Sequence, residues 1–535
     1  MSKKEAGNSC PVAENAVTFW CIRGGIVLLF LVALYRTAWI GDDAYISFRV
    51  IDNFLHGYGL RWNVSERVQV FTHPFWLWVN MGAVAITQEF YYTCICVSIF
   101  LSVAAIGVFA FTIAKTTATA VLCGTIFLCS RSFVEFGTSG LENPLTHLLL
   151  FAFVIQYQRR SLFGAALLAG LLGFNRLDTL LLVLPALVYL WYPRRSIRST
   201  LIVLAGISPV VLWFVFSIVY YGYPLPNTAL AKLCTGIDGF RLAGQGINYL
   251  YNCVRKDLIT AVTIVVAAAT AVKQRKASTL VLASGIVLYV LYIIKVGGDF
   301  MSGRFLAAPL VMSVCIISTE LPRYSPRILF WGILPVIGLG LCQPNVPLLS
   351  GEDYTYRNIN NWRDRFGIAD ERSYYYPVTG LLRHLNSEEP PSHEYIREGL
   401  AYRAAQKRIV VEHGSVGFRG FYGGPSVHII DHFGLADPLL SRLEIVNVKR
   451  FRIGHFGRAL PEGYFETVET GDNSFADAKL GKFYEKLTYI TQGPLWHMGR
   501  WGAIWKLNTG AYDDLLHDYT IEQRKLHEKS PLPGS

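Results

Sequence analysis

The stretch GDDAYISFR sets two adjacent carboxylates, Asp42 and Asp43, directly after an apolar run of membrane-helix character. An aspartate at mid-bilayer costs roughly 2.5–3.5 kcal/mol, so the pair belongs at the water edge or does chemistry there. A helix N-terminus favours acids, but capping needs only one. A carboxylate so placed can act as general base on a hydroxyl, stabilise an oxocarbenium-like transition state, or attack as a nucleophile. The continuation YISFRVIDNFLHGYGLRWN, which carries Arg49 as a candidate substrate contact, reads as an amphipathic segment lying in the interface.

Cations suited to an anionic partner stand elsewhere. In GGDFMSGRF (297–305), two glycines allow close backbone approach and Arg304 is a permanent cation beside Asp299. Such an arginine holds phosphate well, or snorkels to headgroups. YPLPNTALAK (223–232) reads as a loop turning into a helix, with Asn227 near its start and Lys232 one turn in, the makings of an anion site or of a capped interfacial helix. Arg176 and Asp178 occupy a hairpin tip and can simply pair. Glu142 in SGLENP is a candidate substrate contact or a helix-start acid, and His73 in FTHPFW sits among aromatics at an interface.

The elements that position these residues are membrane helices. The 535-residue chain is 52% hydrophobic and only 16% charged, and apolar runs recur to about residue 343. A membrane half (1–345) followed by a polar half (346–535) is the simplest division. The net charge of +11 sits largely in short clusters between apolar runs: Arg159–Arg160, Arg194–Arg195–Arg198, Lys273–Arg275–Lys276 and Arg323–Arg327. That is the positive-inside pattern, and it argues against nucleic-acid binding. Lys3 and Lys4 precede a first run without a cleavage site, read as a retained helix.

Placing the basic clusters in the cytoplasm predicts about eleven spans, with 74–88 demoted to an interfacial or re-entrant helix. The C-terminal region then lies outside, as do all the residues singled out above. Its strands KRIVVEHG and SVHIIDHFG give it α/β character, and HGSVGFRGFYGGP is a candidate acceptor-facing loop. Of the ten cysteines, Cys234 and Cys253 share a loop and can pair in an oxidising space. No nucleotide-binding loop follows a strand.

The chain resembles integral-membrane glycosyltransferases of the GT-C superfamily, and within it the terminal β-(1→2)-arabinofuranosyltransferase family of mycobacterial cell walls. The carriers are DDAYISFR, LPNTALAK, GGDFMSGRF, GLADPLL (434–440) and GHFGRALPEGY (454–464), in order over most of the chain. The resemblance implies that Asp42 and Asp43 match the acidic motif of the reaction centre. It implies that Lys232 and Arg304 match positions suited to the donor phosphate, and Arg176 is a further candidate for it. SGLENP stands where a second acidic loop is expected, and His73 stands where the family would carry asparagine.

The expected protein is a polytopic α-helical enzyme of the bacterial inner membrane with an extracytoplasmic C-terminal α/β domain. It would move D-arabinofuranose from a polyprenyl-phosphate donor to a surface glycan or a secreted, pilin-type protein among membrane lipids. A donor with one phosphate requires no cofactor, although two carboxylates leave room for a divalent cation. Richness in Cys, Tyr, Ile and Lys suits a Gram-negative host better than a mycobacterium. The rivals are a related transferase using mannose or aminoarabinose, a lipid flippase, and a non-catalytic polysaccharide-binding anchor.

Overall fold

The computed structural model describes residues 16–350, 362–385 and 392–529. Lys3 and Lys4 lie outside the described residues. Helices form where apolar runs predict them, including Ala16–Thr37, Tyr91–Val108, Asn143–Gln158, Ile197–Tyr221, Leu258–Gln274, Ala277–Val296 and Pro326–Leu341. The hairpin at 161–193 is a pair of short helices, Leu162–Asn175 and Leu180–Trp191, joined by a single 3-10 turn.

Five of the described helical segments are long and apolar enough to cross a bilayer, or six if the bent pair Gly239–Lys256 and Leu258–Gln274 counts as one. The expected eleven spans are therefore not established by length and composition. Helices such as Pro74–Thr87 and Leu162–Asn175 have 14 residues, about 21 Å of helix against a hydrocarbon core of about 30 Å.

Contacts between loops sort the chain into two ends. Arg194 donates to Arg160 O at 2.9 Å, Tyr157 donates to Ser278 O at 2.9 Å, and Lys276 reaches Glu320 at 3.3 Å, with Arg323 on the same carboxylate. The basic clusters thus share one end of the bundle. Asn143–Gln158 and Ala277–Val296 run from that end to the opposite one, where Glu142 and Asp299 stand.

The C-terminal region packs onto this second end. Among the described residues its sheet is a single parallel pair, Ile409–Glu412 against His428–Asp431, among helices. One buried cluster runs unbroken across residue 345, joining Trp39, Tyr45 and Phe48 to Tyr375, Phe418 and Val427. Helix Asp42–Leu55 is consequently sandwiched rather than spread on the interface: Tyr45 lies 4.5 Å from Phe418 and 5.4 Å from Phe421, ring to ring. Its apolar face is amphipathic toward protein, not lipid. Gly222 ends helix Ile197–Tyr221 in the left-handed region (φ 83°), where a Cβ would sit 2.2 Å from Ile490. Cys234 and Cys253, which could have paired, are both free; Cys253 is buried with its sulfur 3.8 Å from Asp257 O.

Candidate active site

The acidic pair is split by the helix it begins. Asp42 turns toward the C-terminal region, where its Oδ2 accepts from Gly417 N at 2.9 Å and its Oδ1 from Phe418 N at 2.8 Å. Helix Gly417–Gly423 can come this close only because residue 417 is glycine: a Cβ there would lie 1.9 Å from Asp42 O. Burial pushes the Asp42 carboxyl up to about 7, against the pull of the two amides. Asp43 points instead into a cavity and, among the described residues, makes no hydrogen bond or ion pair. Its pKa is raised, first by burial; Arg304 and Lys232 oppose the rise, Asp299 and Glu142 add to it.

Facing Asp43 is a cluster organised by Glu142, which is fully buried. Its carboxylate accepts from Arg176 Nη1 at 2.6 Å and from Arg304 Nη2 at 3.1 and 3.2 Å. Burial alone would raise the Glu142 carboxyl, but Arg304 and Arg176 hold it well below the carboxylate range. Arg176 also grips Asp178 with two bonds of 2.8 and 2.6 Å, and Tyr289 donates to the same acid. Asp299 accepts from Phe300 N; its other oxygen stands 3.6 Å from Arg304 Nη1. Lys232, by contrast, enters no ion pair among the described residues and opens onto the cavity. Its side chain is exposed, yet desolvation by the protein around it lowers its pKa, partly offset by Asp299.

Three polar atoms at this site are buried without a hydrogen-bond partner among the described residues: Thr228 Oγ1, Asp299 Oδ2 and Arg304 Nε. Orphaned polar atoms beside an unpaired acid and an unpaired cation are the mark of a site built for a ligand. Among the described residues, no group of three or more His, Cys, Asp or Glu side chains is placed to hold a metal ion.

The cavity holding Asp43, about 780 Å³ with its mouth, is lined from the membrane half by Ser47, His73 and Lys232 and from the C-terminal region by Gly414, Ser415 and His455. It shares Thr72, Thr228, Lys232 and Arg304 with a second, larger groove of about 2510 Å³. That groove is apolar, running past Leu233, Phe240, Leu291 and Ile294, with Arg176 and Asp178 near its polar end. Leu233, Phe240 and Leu291 are exposed on its flank. The arrangement joins a polar cavity to a lipid-compatible slot, with cations at the junction.

Nine of the eleven expected residues thus come together or border the two spaces. Arg49 and Asn227 do not reach them. Arg49 spends its guanidinium on Trp62 O (2.8 Å), Gly420 O (2.9 Å) and Val427 O (2.6 Å), tying the acidic helix to the C-terminal region. Asn227 donates to three carbonyls, Gly434, Leu435 and Asp437, and accepts from Ser441. Each is a fastener rather than a contact for substrate, because its polar atoms are already occupied. Ser47 and His455 were not singled out from the sequence, and Thr228 only as a plausible cap of the helix that carries Lys232. Ser47 had a readable signal, since it follows Asp43 by four residues on a helix.

The chain is similar to two proteins each named terminal beta-(1->2)-arabinofuranosyltransferase. That of Mycobacterium tuberculosis is 27% identical, over 83% of this chain and 85% of the relative. That of Corynebacterium glutamicum is 23% identical, over 84% of this chain and 77% of the relative. No family model matches, and no solved structure matches. The resemblance read from the five motifs is the one these comparisons find.

Proposed function

We propose that the protein is a membrane glycosyltransferase that moves a sugar, D-arabinofuranose, from a polyprenyl-phosphate donor to a glycan or protein acceptor at the outer face of the bacterial inner membrane. The observation that carries this reading is the junction of Asp43's cavity with the apolar groove, at Lys232 and Arg304. A lipid tail fits the groove, a phosphate fits the cations, and the sugar then lies beside Asp43. The relatives' printed names support arabinofuranose as the sugar.

In this mechanism the bond from the anomeric carbon to the phosphate oxygen breaks, and the acceptor oxygen bonds to that carbon. Lys232 and Arg304 stabilise the charge gathering on the departing phosphate. Asp43 takes the acceptor's hydroxyl proton; a carboxyl raised by burial is better matched to that task at neutral pH than an ordinary one. Asp42 holds the helix that aims it. Residues 346–535 form the extracytoplasmic half, whose Gly414–Ser415 segment presents the acceptor. The basic clusters at the opposite end of the bundle support the outward orientation. The acids and cations of the site, gathered at one end instead of strung across the bilayer, disfavour a flippase.

The test uses purified full-length protein in lipid nanodiscs with a methyl arabinofuranoside as acceptor and polyprenyl-phosphoryl arabinofuranose, mannose or aminoarabinose as donor, reading release of free polyprenyl phosphate. The arabinofuranose donor should turn over at least about 10-fold faster than the others, a margin that pocket contacts ordinarily supply, and equally well with EDTA present. Preference for another sugar would move the assignment within the class. No release from any donor would end the transferase reading.

A further inference from the structure

Helix Asp42–Leu55 carries Ser47 one turn beyond Asp43, and both side chains line the same cavity. Ser47 Oγ lies 3.0 Å from His73 Nε2. The other ring nitrogen, Nδ1, stands 3.3 Å from Glu142 Oε2 and 3.4 Å from Thr72 Oγ1. Ser47, His73 and Glu142 are all buried. Burial keeps the imidazole neutral, lowering its pKa to about 4 although Glu142 pulls the other way.

A neutral imidazole has one N–H and one lone pair. Glu142 is an anion held by two guanidiniums, and a lone pair facing it would be repelled, so the ring hydrogen belongs on Nδ1. Nε2 is then the acceptor, and the hydrogen between it and Ser47 is Ser47's own. With that hydrogen committed inward, Ser47 offers the cavity only lone pairs.

We infer that Ser47 is a one-way acceptor that selects a sugar by the hydrogen of one of its hydroxyls, with His73 and Glu142 setting its polarity. This rests on the transferase reading and deepens it. The selected hydroxyl keeps its proton, so it is not the one Asp43 deprotonates. It is a neighbouring hydroxyl, on the donor or the acceptor sugar, and Ser47 fixes the sugar's orientation beside Asp43. Ser47 is a specificity determinant, and His73 is a positioning residue acting through it.

The experiment uses full-length protein in nanodiscs and two probe series: polyprenyl-phosphoryl arabinofuranoses, and methyl arabinofuranosides as acceptors, each with one hydroxyl in turn replaced by fluorine. Fluorine fills the space but cannot donate. Both kcat/KM for transfer and Kd for binding are measured. The wild type should lose about 100-fold or more at one hydroxyl of one series, which identifies the sugar that Ser47 reads. Ser47→Ala should shrink that penalty to about threefold or less. His73→Phe, which frees the Ser47 hydrogen, should shrink it too. Transfer of the parent sugars with identical penalties in wild type and Ser47→Ala would overturn the inference while leaving the transferase reading intact. Should no donor be transferred, the transferase reading falls and the Kd series decides: discrimination abolished by Ser47→Ala supports the inference, and discrimination unchanged overturns it.

Discussion

Asp43→Asn should lower kcat for sugar transfer by about 1000-fold, within the range for loss of a positioned general base, with the thermal unfolding midpoint unchanged or raised. The two halves of this expectation have separate causes. Asp43 has no hydrogen bond or ion pair to lose among the described residues, so its charge is a cost to the fold that Arg304 and Lys232 offset only in part. Asp42→Asn should show the reverse balance. Asn can accept from only one of the Gly417 and Phe418 amides, and the variant should lose about 1–3 kcal/mol of stability. Donor turnover and calorimetric unfolding of both variants check the pair. Near-normal transfer by Asp43→Asn would remove this residue from the chemistry.

Glu142→Gln should be among the most damaging single substitutions, costing about 3–5 kcal/mol, because it breaks a buried pair and leaves two guanidiniums facing each other. An amide can accept from one of them but presents its own hydrogens to the other. The double variant Glu142→Gln, Arg304→Gln removes one excess cation and should recover much of that stability without recovering transfer, since Arg304 also serves the phosphate. Chemical denaturation in detergent, alongside donor turnover, separates the two effects. A double variant no more stable than the single one would mean that Glu142 is not the electrostatic keystone of this cluster.

Much of the frame was legible because membrane helices write their signal locally. Runs of apolar residues and basic clusters between them place most helices within a few residues. They also predict that the acids and the functional cations share one end. The number of crossings was not legible in the same way. Segments such as Pro74–Thr87 are apolar throughout yet too short to span unaided. The division of labour between Asp42 and Asp43 was out of reach, because it depends on a glycine 375 residues away that lets one helix N-terminus meet Asp42. Arg49 misled for a related reason. An arginine six residues past a pair of acids looks like part of a site, and only the folded C-terminal region, supplying Gly420 and Val427 carbonyls, turns it into a strut. Glu142 likewise gains its role from Arg176 and Arg304, 34 and 162 residues along the chain.

The most direct measurement is the structure of the full-length protein in nanodiscs with a polyprenyl phosphate bound. The phosphate should lie within about 4 Å of Lys232 Nζ, ion-pairing distance, beside Arg304, its chain following Leu291 and Ile294 and leaving sugar-sized space at Asp43. A phosphate bound instead near Arg160 and Arg194 at the opposite end, with the groove at Lys232 empty, would contradict the account.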